Sequence, residues 1–276
     1  MGNNMLDGHS IKEQFNGETK NLNILTLASV SSTNDIAKEE LTKHPEKISL
    51  VATNQQTAGR GRQGKSFYSS LAHGLYFSLA FQPNEKDLEN VPLYTIMAAA
   101  TLVGVLEKIV DKPLSIKWVN DIFYDGRKIS GILSELISLN SETNQPGIVV
   151  GIGINFAGNF QTADENTQNV AGTLFGEKLP VDFDQNTFLG DFLNAFTENH
   201  EHFQNKKFMS TYEEHLLGKG KEVFYTVKNE RHKGIIQGID SNGHLLVIKA
   251  DQTIETLYGQ EIHFNSSQFV NLNTEN

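Results

Sequence analysis

A chain of 276 residues with no cysteine is long enough to bury a core without disulfide staples, and it has no thiolate for metal binding or covalent catalysis, which suits a redox-indifferent cytoplasmic protein. Its formal net charge of −10 argues against a protein that coats nucleic acid, because displacing counterions takes a surplus of Lys and Arg. The longest mostly apolar run, residues 94–106, is far short of the roughly 20 residues that span a bilayer, so a soluble protein is expected.

Residues 1–21 are polar, lack the apolar core of a signal peptide and read as a loose tail. Met1-Gly2 begins like a myristoylation signal, but Leu6 stands where Ser or Thr is required. Residues 23–30 read as a strand. Ser32-Thr33-Asn34-Asp35 then resembles a helix start, with a cap hydroxyl and an acid three residues on. Strands are expected at 48–53 and 74–81, and 93–110 has the length and the Ala/Leu/Met content of a buried helix. Strands at 114–119, 122–124 and 129–139 follow, the last two joined by Asp125-Gly126, a tight-hairpin signal. After a polar loop at 140–147, another strand is expected at 148–156. Phe188, Phe192, Leu193, Phe196 and Phe203 recur near helical spacing within 186–217. Beyond Gly218-Lys219-Gly220 the texture changes to short strands at 223–227, 234–239, 245–250 and 253–258, with turn chemistry at Asn242-Gly243. The expected architecture is α+β: a mixed sheet packed with helices over 22–217, then a small all-β barrel over 218–276.

Gly59-Arg60-Gly61-Arg62-Gln63-Gly64-Lys65-Ser66 satisfies both the phosphate-binding P-loop pattern and the dinucleotide pattern G-x-G-x-x-G. Both need a helix directly afterwards, whose N-terminal amides hold the phosphates, and the strand-like segment from Gly74 leaves no room for one. The physical content that remains is an anion site. Glycines let the backbone approach a ligand closely, and Arg60 and Arg62 offer fixed positive forks. The plainer alternative is a solvated glycine turn. None of the nine histidines shows metal-ligand spacing.

Gln55-Gln56-Thr57-Ala58-Gly59-Arg60-Gly61-Arg62-Gln63-Gly64-Lys65 resembles the biotin-binding loop of biotin protein ligases. Further motifs occur in that family's order: Ser31-Ser32-Thr33-Asn34, Lys117-Trp118-Val119-Asn120-Asp121, Gly126-Arg127-Lys128-Ile129-Ser130-Gly131-Ile132-Leu133-Ser134-Glu135 and Gly151-Ile152-Gly153-Ile154-Asn155. The resemblance runs from about Leu22 to the C-terminus, where a small SH3-like β barrel is implied and Tyr258-Gly259-Gln260-Glu261 matches the family's end. Because the pattern begins by Leu22, the form expected is one without the N-terminal winged helix-turn-helix that some members carry.

The resemblance implies an ATP-dependent ligase. The biotin carboxylate attacks the α-phosphate of ATP, giving biotinyl-5′-adenylate and pyrophosphate, and a lysine of a biotin carboxyl carrier domain then attacks the mixed anhydride. Such a reaction needs positioning and neutralisation of charge rather than an enzyme nucleophile. Carried over residue by residue, Lys128 reaches the biotin carboxylate and the α-phosphate. Arg60 and Arg62 hold the phosphates, and Gly59 and Gly61 close over the adenylate. Taken alone, Lys128 would be a surface lysine beside a hairpin.

Ser32, Thr33, Asn34 and Gln56 meet the ureido head of biotin, with helix capping as the alternative for Ser32 and Thr33. Gly131 and Gly153 admit the flat biotin rings, or are bulge glycines. Lys65, Phe67, Asn120 and Asn155 complete the ATP site, Phe67 covering the adenine, and Asp121 is the candidate Mg2+ ligand, or part of an Asn-Asp turn. Val119 stands where the family usually has proline, Lys65 where it has arginine, and Phe67 near its usual tryptophan, which costs Lys65 the bidentate fork. No DNA or membrane partner is implied, and pairing of two copies through the sheet is left open. Competing readings are lipoate protein ligase, a non-catalytic binding module, and a P-loop ATPase, which a helix beginning at Lys65 would revive.

Overall fold

Successive side chains of a strand point to opposite faces, so the run Ile148-Val149-Val150-Gly151-Ile152-Gly153-Ile154-Asn155-Phe156 prescribes one large apolar face and one face of small or polar groups. The computed structural model describes residues 5–69, 72–84, 87–88, 91–140, 145–227, 230–259, 262–264 and 269, and it places this run inside a seven-stranded sheet. The strands are β1 (Leu22–Leu27), β2 (Ile48–Thr53), β3 (His73–Phe81), β4 (Leu114–Lys117), β5 (Asp121–Tyr124), β6 (Arg127–Asn140) and β7 (Gln145–Ala157). Their spatial order is β1-β2-β3-β7-β6-β5-β4. β1 and β2 are parallel and the other neighbours antiparallel. The helices are α1 (Gly8–Glu13), α2 (Thr33–Lys43), α3 (Leu93–Leu106), α4 (Glu165–Val170), α5 (Gln185–Glu201) and α6 (Phe208–Glu214).

Ile148, Val150, Ile152, Ile154 and Phe156 face the main core together with residues of α3 and α5. Aromatic edges lock this layer, with Phe77 5.1 Å from Phe192 and Phe156 5.0 Å from Phe188 between ring centroids. α3 is buried on nearly every side, as its unbroken apolar composition dictates. On the opposite face Ala37 and Leu41 of α2 pack on Val51, Ala80 and Val149. Asp125 and Gly126 both take positive φ, 49° and 71°, and close the expected tight hairpin between β5 and β6.

The loose tail expected at the start is corrected for residues 5–21. Asp7 caps α1 by accepting from the Ser10 amide, and Ile11 is fully buried in the main core. Two asparagines of α5 complete the docking. Asn186 Oδ1 accepts from the Asp7 amide at 2.9 Å, and Asn194 bonds the Gln14 carbonyl and the Asn16 amide at 2.8 Å each. β6 and β7 also run further than expected, to Asn140 and from Gln145, into the segment read as a polar loop. α4 falls where no helix was expected.

The C-terminal part forms β8 (Glu222–Val227), β9 (Glu230–Ile239), β10 (Leu245–Ile248), β11 (Ile254–Leu257) and β12 (Ile262–His263), an antiparallel sheet in the order β11-β10-β9-β8-β12. The fold class is the expected one, an α+β layer with a small β unit of SH3-like type. That unit shares its core with the large sheet, since Val223, Tyr225, Leu245 and Val247 belong to the main cluster. The Trp118 indole donates to the Gly243 carbonyl at 2.9 Å across the junction. Among the described residues no helix is long and apolar enough to cross a membrane. Met1-Gly2, residues 141–144, Gln260 and Glu261 lie outside the described residues.

Candidate active site

The glycine-rich segment folds as a small hairpin that lies across the open face of the sheet. Arg60 pairs with Ser66, the Gly61 amide donates to the Lys65 carbonyl at 2.7 Å and the Phe67 amide to the Gly59 carbonyl at 2.9 Å. Its turn uses positive φ at Gln63 (56°) and Gly64 (74°), a conformation that favours glycine at the second of these positions. A Cβ on Gly59 would press into the Ser69 hydroxyl and the Phe67 carbonyl. After a single 3-10 turn at Arg62–Gly64 the chain runs on to β3, so no helix follows, and the P-loop and dinucleotide readings both fail.

Three contacts pin the hairpin. Arg60 forms a two-bonded pair with Asp35 of α2, at 2.8 and 2.5 Å. Arg62 donates to Asn120 Oδ1 at 3.2 Å and to the Gly259 carbonyl of the small β unit at 2.5 Å. The Tyr68 hydroxyl lies 2.8 Å from that of Thr162. The Arg60 fork, expected at a phosphate, is here closed on a carboxylate.

Lys128 owes its direction to a β-bulge. Ile122 pairs with Ser130 and Phe123 with Lys128, so Ile129 is the extra residue. A bulge re-aims the side chain beside it, which puts Lys128 on the same side as Gly131, whose Cβ would lie 3.4 Å from Lys128 Nζ. Lys128 Nζ sits 2.6 Å from Asp121 Oδ1, and Lys117 Nζ is 3.6 Å from Asp121 Oδ2. Lys117 and Asp121 are each 8 % exposed. Burial alone would push the Asp121 carboxyl up, but Lys128, Lys117 and Arg62 outweigh it and hold the group below the usual carboxylate range. Burial pulls the Lys117 ammonium down, and Asp121 opposes that.

Asp121 does not fit its expected part as a magnesium ligand, because ammonium groups already face both of its oxygens. Among the described residues no cluster of three His, Cys, Asp or Glu side chains could hold a metal ion. Asn120 binds Arg62 through its oxygen and the Ile132 carbonyl through its nitrogen at 2.8 Å.

At one end of the cavity the lining side chains of Ser32, Thr33, Asn34 and Gln56 are uncharged. Gln56 Oε1 accepts from the Thr33 amide at 2.8 Å and the Thr33 hydroxyl at 3.2 Å. The Ser78 hydroxyl lies 2.7 Å from Thr33 Oγ1 and 2.6 Å from Asn34 Oδ1, and Asn34 Nδ2 donates to Glu135 at 2.6 Å. Gly151 is small because a Cβ there would collide with the Asn34 amide. Ser32 occupies the N-cap position of α2 but makes no side-chain cap bond, so capping does not occupy its hydroxyl.

The floor differs from expectation. Gly131 and Gly153 accommodate the ring of Phe67, and a Cβ on either would meet it. That ring also stands 5.9 Å from Lys128 Nζ and 6.2 Å from the Tyr76 ring. At the far end Asn155 Nδ2 donates to the Gly172 carbonyl at 3.2 Å, while its buried Oδ1 has no partner among the described residues. Arg127 holds the last carbonyls of α4, Gln168 and Asn169, at 3.0 Å each, and Asn166 and Thr167 of that helix face the same space.

Of the candidate residues, all but Gly59 line one cavity of about 330 Å³, a size within the usual range for small-molecule sites. Lys117 and the α4 residues also line it and were not among the candidates. The signal for Lys117 was present, a lysine ending the strand Leu114–Lys117 between Ile116 and Trp118, where the chain is otherwise set for burial. α4 offers no such signal in a polar segment. Val119, where proline was expected, follows a cis peptide bond, and its carbonyl accepts from the buried Tyr212 hydroxyl at 3.1 Å.

Residues 26–155 match the biotin/lipoate A/B protein ligase family. The bifunctional ligase/repressor BirA of Bacillus spizizenii is 28% identical over 239 residues, covering 84% of this chain and 71% of that protein. A biotin--[acetyl-CoA-carboxylase] ligase of Mycobacterium tuberculosis is 23% identical over 94% of this chain and 96% of its own length. Among solved structures, the biotin protein ligase of Aquifex aeolicus in complex with biotin and ATP superposes with a TM-score of 0.70 at 29% identity, over 87% of this chain and 97% of that one. Sequence motifs, fold and cavity therefore agree, and at residues 26–155 this chain carries a domain of the biotin/lipoate A/B protein ligase family.

Proposed function

We propose that the protein activates biotin with ATP and transfers it to a lysine of a biotin carboxyl carrier domain. The observation that carries this reading is the gradient along one cavity. An uncharged hydrogen-bonding end at Ser32, Thr33, Asn34 and Gln56 gives way to a centre lined by Arg62, Lys65, Lys117 and Lys128, where Asp121 is the one acid among the described lining residues and pairs with Lys117 and Lys128. A ureido ring needs neutral donors and acceptors, and a carboxylate meeting a triphosphate needs a local positive surplus, which this chain concentrates here against a net charge of −10.

In the first step a biotin carboxylate oxygen attacks the α-phosphorus, and pyrophosphate leaves with the electron pair of the broken bond. Lys128 contacts both reacting anions, while Arg62, Lys117 and Lys65 stabilise charge on the phosphates. In the second step the carrier lysine amine attacks the acyl carbon, AMP leaves, and the amine gives up a proton. Lys128 then stabilises the departing phosphate. Asn155 and Phe67 contact the nucleoside side. Magnesium is assigned no ligand among these residues and no step. A cytoplasmic setting and pairing of two copies through the large sheet go with this reading, and DNA is not a partner in it.

The test is to incubate the protein with biotin, ATP, magnesium and a carboxyl carrier domain and weigh the carrier by mass spectrometry, beside Lys128→Ala and a lipoate arm. The expected outcome is the mass of one biotin on the carrier, lost with Lys128→Ala. Addition of lipoate but not biotin would move the protein to the other branch of its family.

A further inference from the structure

The glycine-rich hairpin is tied to α2 by the acid of the helix-start pattern, which lies outside the ligase-family motifs. Asp35 takes two parallel bonds from Arg60, at 2.8 and 2.5 Å, with Glu135 3.9 Å from the same guanidinium. Lys38 braces both acids, 3.7 Å from Asp35 and 2.8 Å from Glu135. We propose that Asp35 is a positioning residue that latches the hairpin over the cavity through Arg60, and that Arg60 serves closure of the loop rather than phosphate binding.

The geometry of the hairpin carries the argument. Arg60 is paired with Ser66 across it, so the strand anchored by Arg60 also holds the turn that bears Arg62 and Lys65 and the end that bears Phe67. A bidentate pair fixes orientation as well as distance. Asp35 and Arg60 are each about two-fifths exposed, so the pair stands at the rim, where it can open without disturbing the core. The second anchor, Arg62 on Gly259, belongs to a different unit of the fold. Without Asp35 the hairpin would keep that end, the Tyr68 contact and the bonds at its base, where the Thr57 and Ala58 amides donate to the Val30 and Ser31 carbonyls, but it would lose its tie to α2.

The inference rests on the cavity being the biotin and nucleotide site, and the test separates the two claims. Hydrogen exchange over residues 57–68 is followed by mass spectrometry in the wild type, Asp35→Ala, Arg60→Ala, the double variant and the conservative Asp35→Glu, with β7 peptides as the control for an intact fold. Ligation kinetics are measured alongside. A rim pair in a charged network is expected to change loop protection about fivefold. Each alanine variant should lose that factor, the double variant no more than either single, and Asp35→Glu should recover most of it. KM for biotin should rise by a similar factor while kcat stays within about twofold.

Unchanged loop protection in Asp35→Ala would overturn the proposal. So would a kcat loss in Arg60→Ala of tenfold or more beyond that of Asp35→Ala, which would place Arg60 on the phosphates. Coupled exchange in a protein that ligates neither biotin nor lipoate would uphold the latch and reject the reading of the site.

Discussion

β7 shows two opposed design rules on one strand. Toward α3 and α5 it presents Ile148, Val150, Ile152, Ile154 and Phe156, all buried in one core. Toward α2 and the glycine-rich hairpin it presents Val149, Gly151, Gly153 and Asn155. The first face stabilises by filling space, because apolar area removed from water is what holds the layers together. The second makes room. Gly151 leaves space for the Asn34 amide and Gly153 for the Phe67 ring, while the buried Asn155 Oδ1 has no partner among the described residues. Substitutions on the first face should therefore be read in stability, and those on the second in chemistry.

Asp121→Ala is the harshest test of that division, since the acid lies on the cavity side yet is buried among cations. Removing it leaves Lys117 and Lys128 without their shared counter-charge, and deleting one partner of a buried ion cluster costs about 3–5 kcal/mol. Urea unfolding should show that loss together with loss of ligation. Unchanged stability would mean that solvent, not Asp121, balances the lysines. Ile154→Ala probes the other face. It should cost about 3 kcal/mol, within the range for truncating a buried aliphatic residue, while the folded fraction keeps kcat within about twofold. A large fall in kcat would erase the distinction between the faces.

Gly153→Ala should cost less stability, about 1–3 kcal/mol for a methyl forced into packed space, yet lower ligation about tenfold by lifting Phe67 off the strand. Phe67→Ala in the same chain should recover the stability if the clash is the cause. The smallest effect concerns pH. The bond from Arg60 holds the Asp35 carboxyl below its usual range, with burial opposing and the charges of Arg60 and Lys38 assisting, and Glu135 faces the same guanidinium. A depressed carboxylate pKa contributes stability that is complete above the unfolded value near about 4 and is lost as pH falls through the folded one. Loop protection, corrected for intrinsic exchange, should therefore stay level from pH 8 to about 5 and fall below about 4. A fall centred between pH 6 and 7 would implicate a histidine instead.

Much of this is legible in the sequence because it is local. β2 matches its expected span, and the Asp125-Gly126 turn needs only the conformational permissiveness of its own residues. The motifs brought almost the whole candidate set into one cavity, since each places its residues through short-range geometry. Other features were hidden by distance along the chain. α1 looked like a polar tail because Ile11 and Asp7 find their partners on α5, some 180 residues away. Nothing near Arg60 in sequence shows that Asp35 stands opposite its guanidinium. Lys128 faces the cavity only through the bulge at Ile129, which strict alternation does not foresee.

By itself the sequence determined the strand and helix periodicities, the small residues that keep one face of β7 open, and the inventory of cations and neutral donors that the proposed chemistry requires. Those are properties of neighbouring residues, set by backbone sterics and side-chain size. Only the tertiary structure decided which charges meet: Lys117 and Lys128 on Asp121, Arg60 on Asp35, Arg62 on a carbonyl of the small β unit, and the Phe67 ring on the two glycines. Electrostatic and packing energies depend on separation in space and on exclusion of water, and neither is defined until distant segments have been brought together.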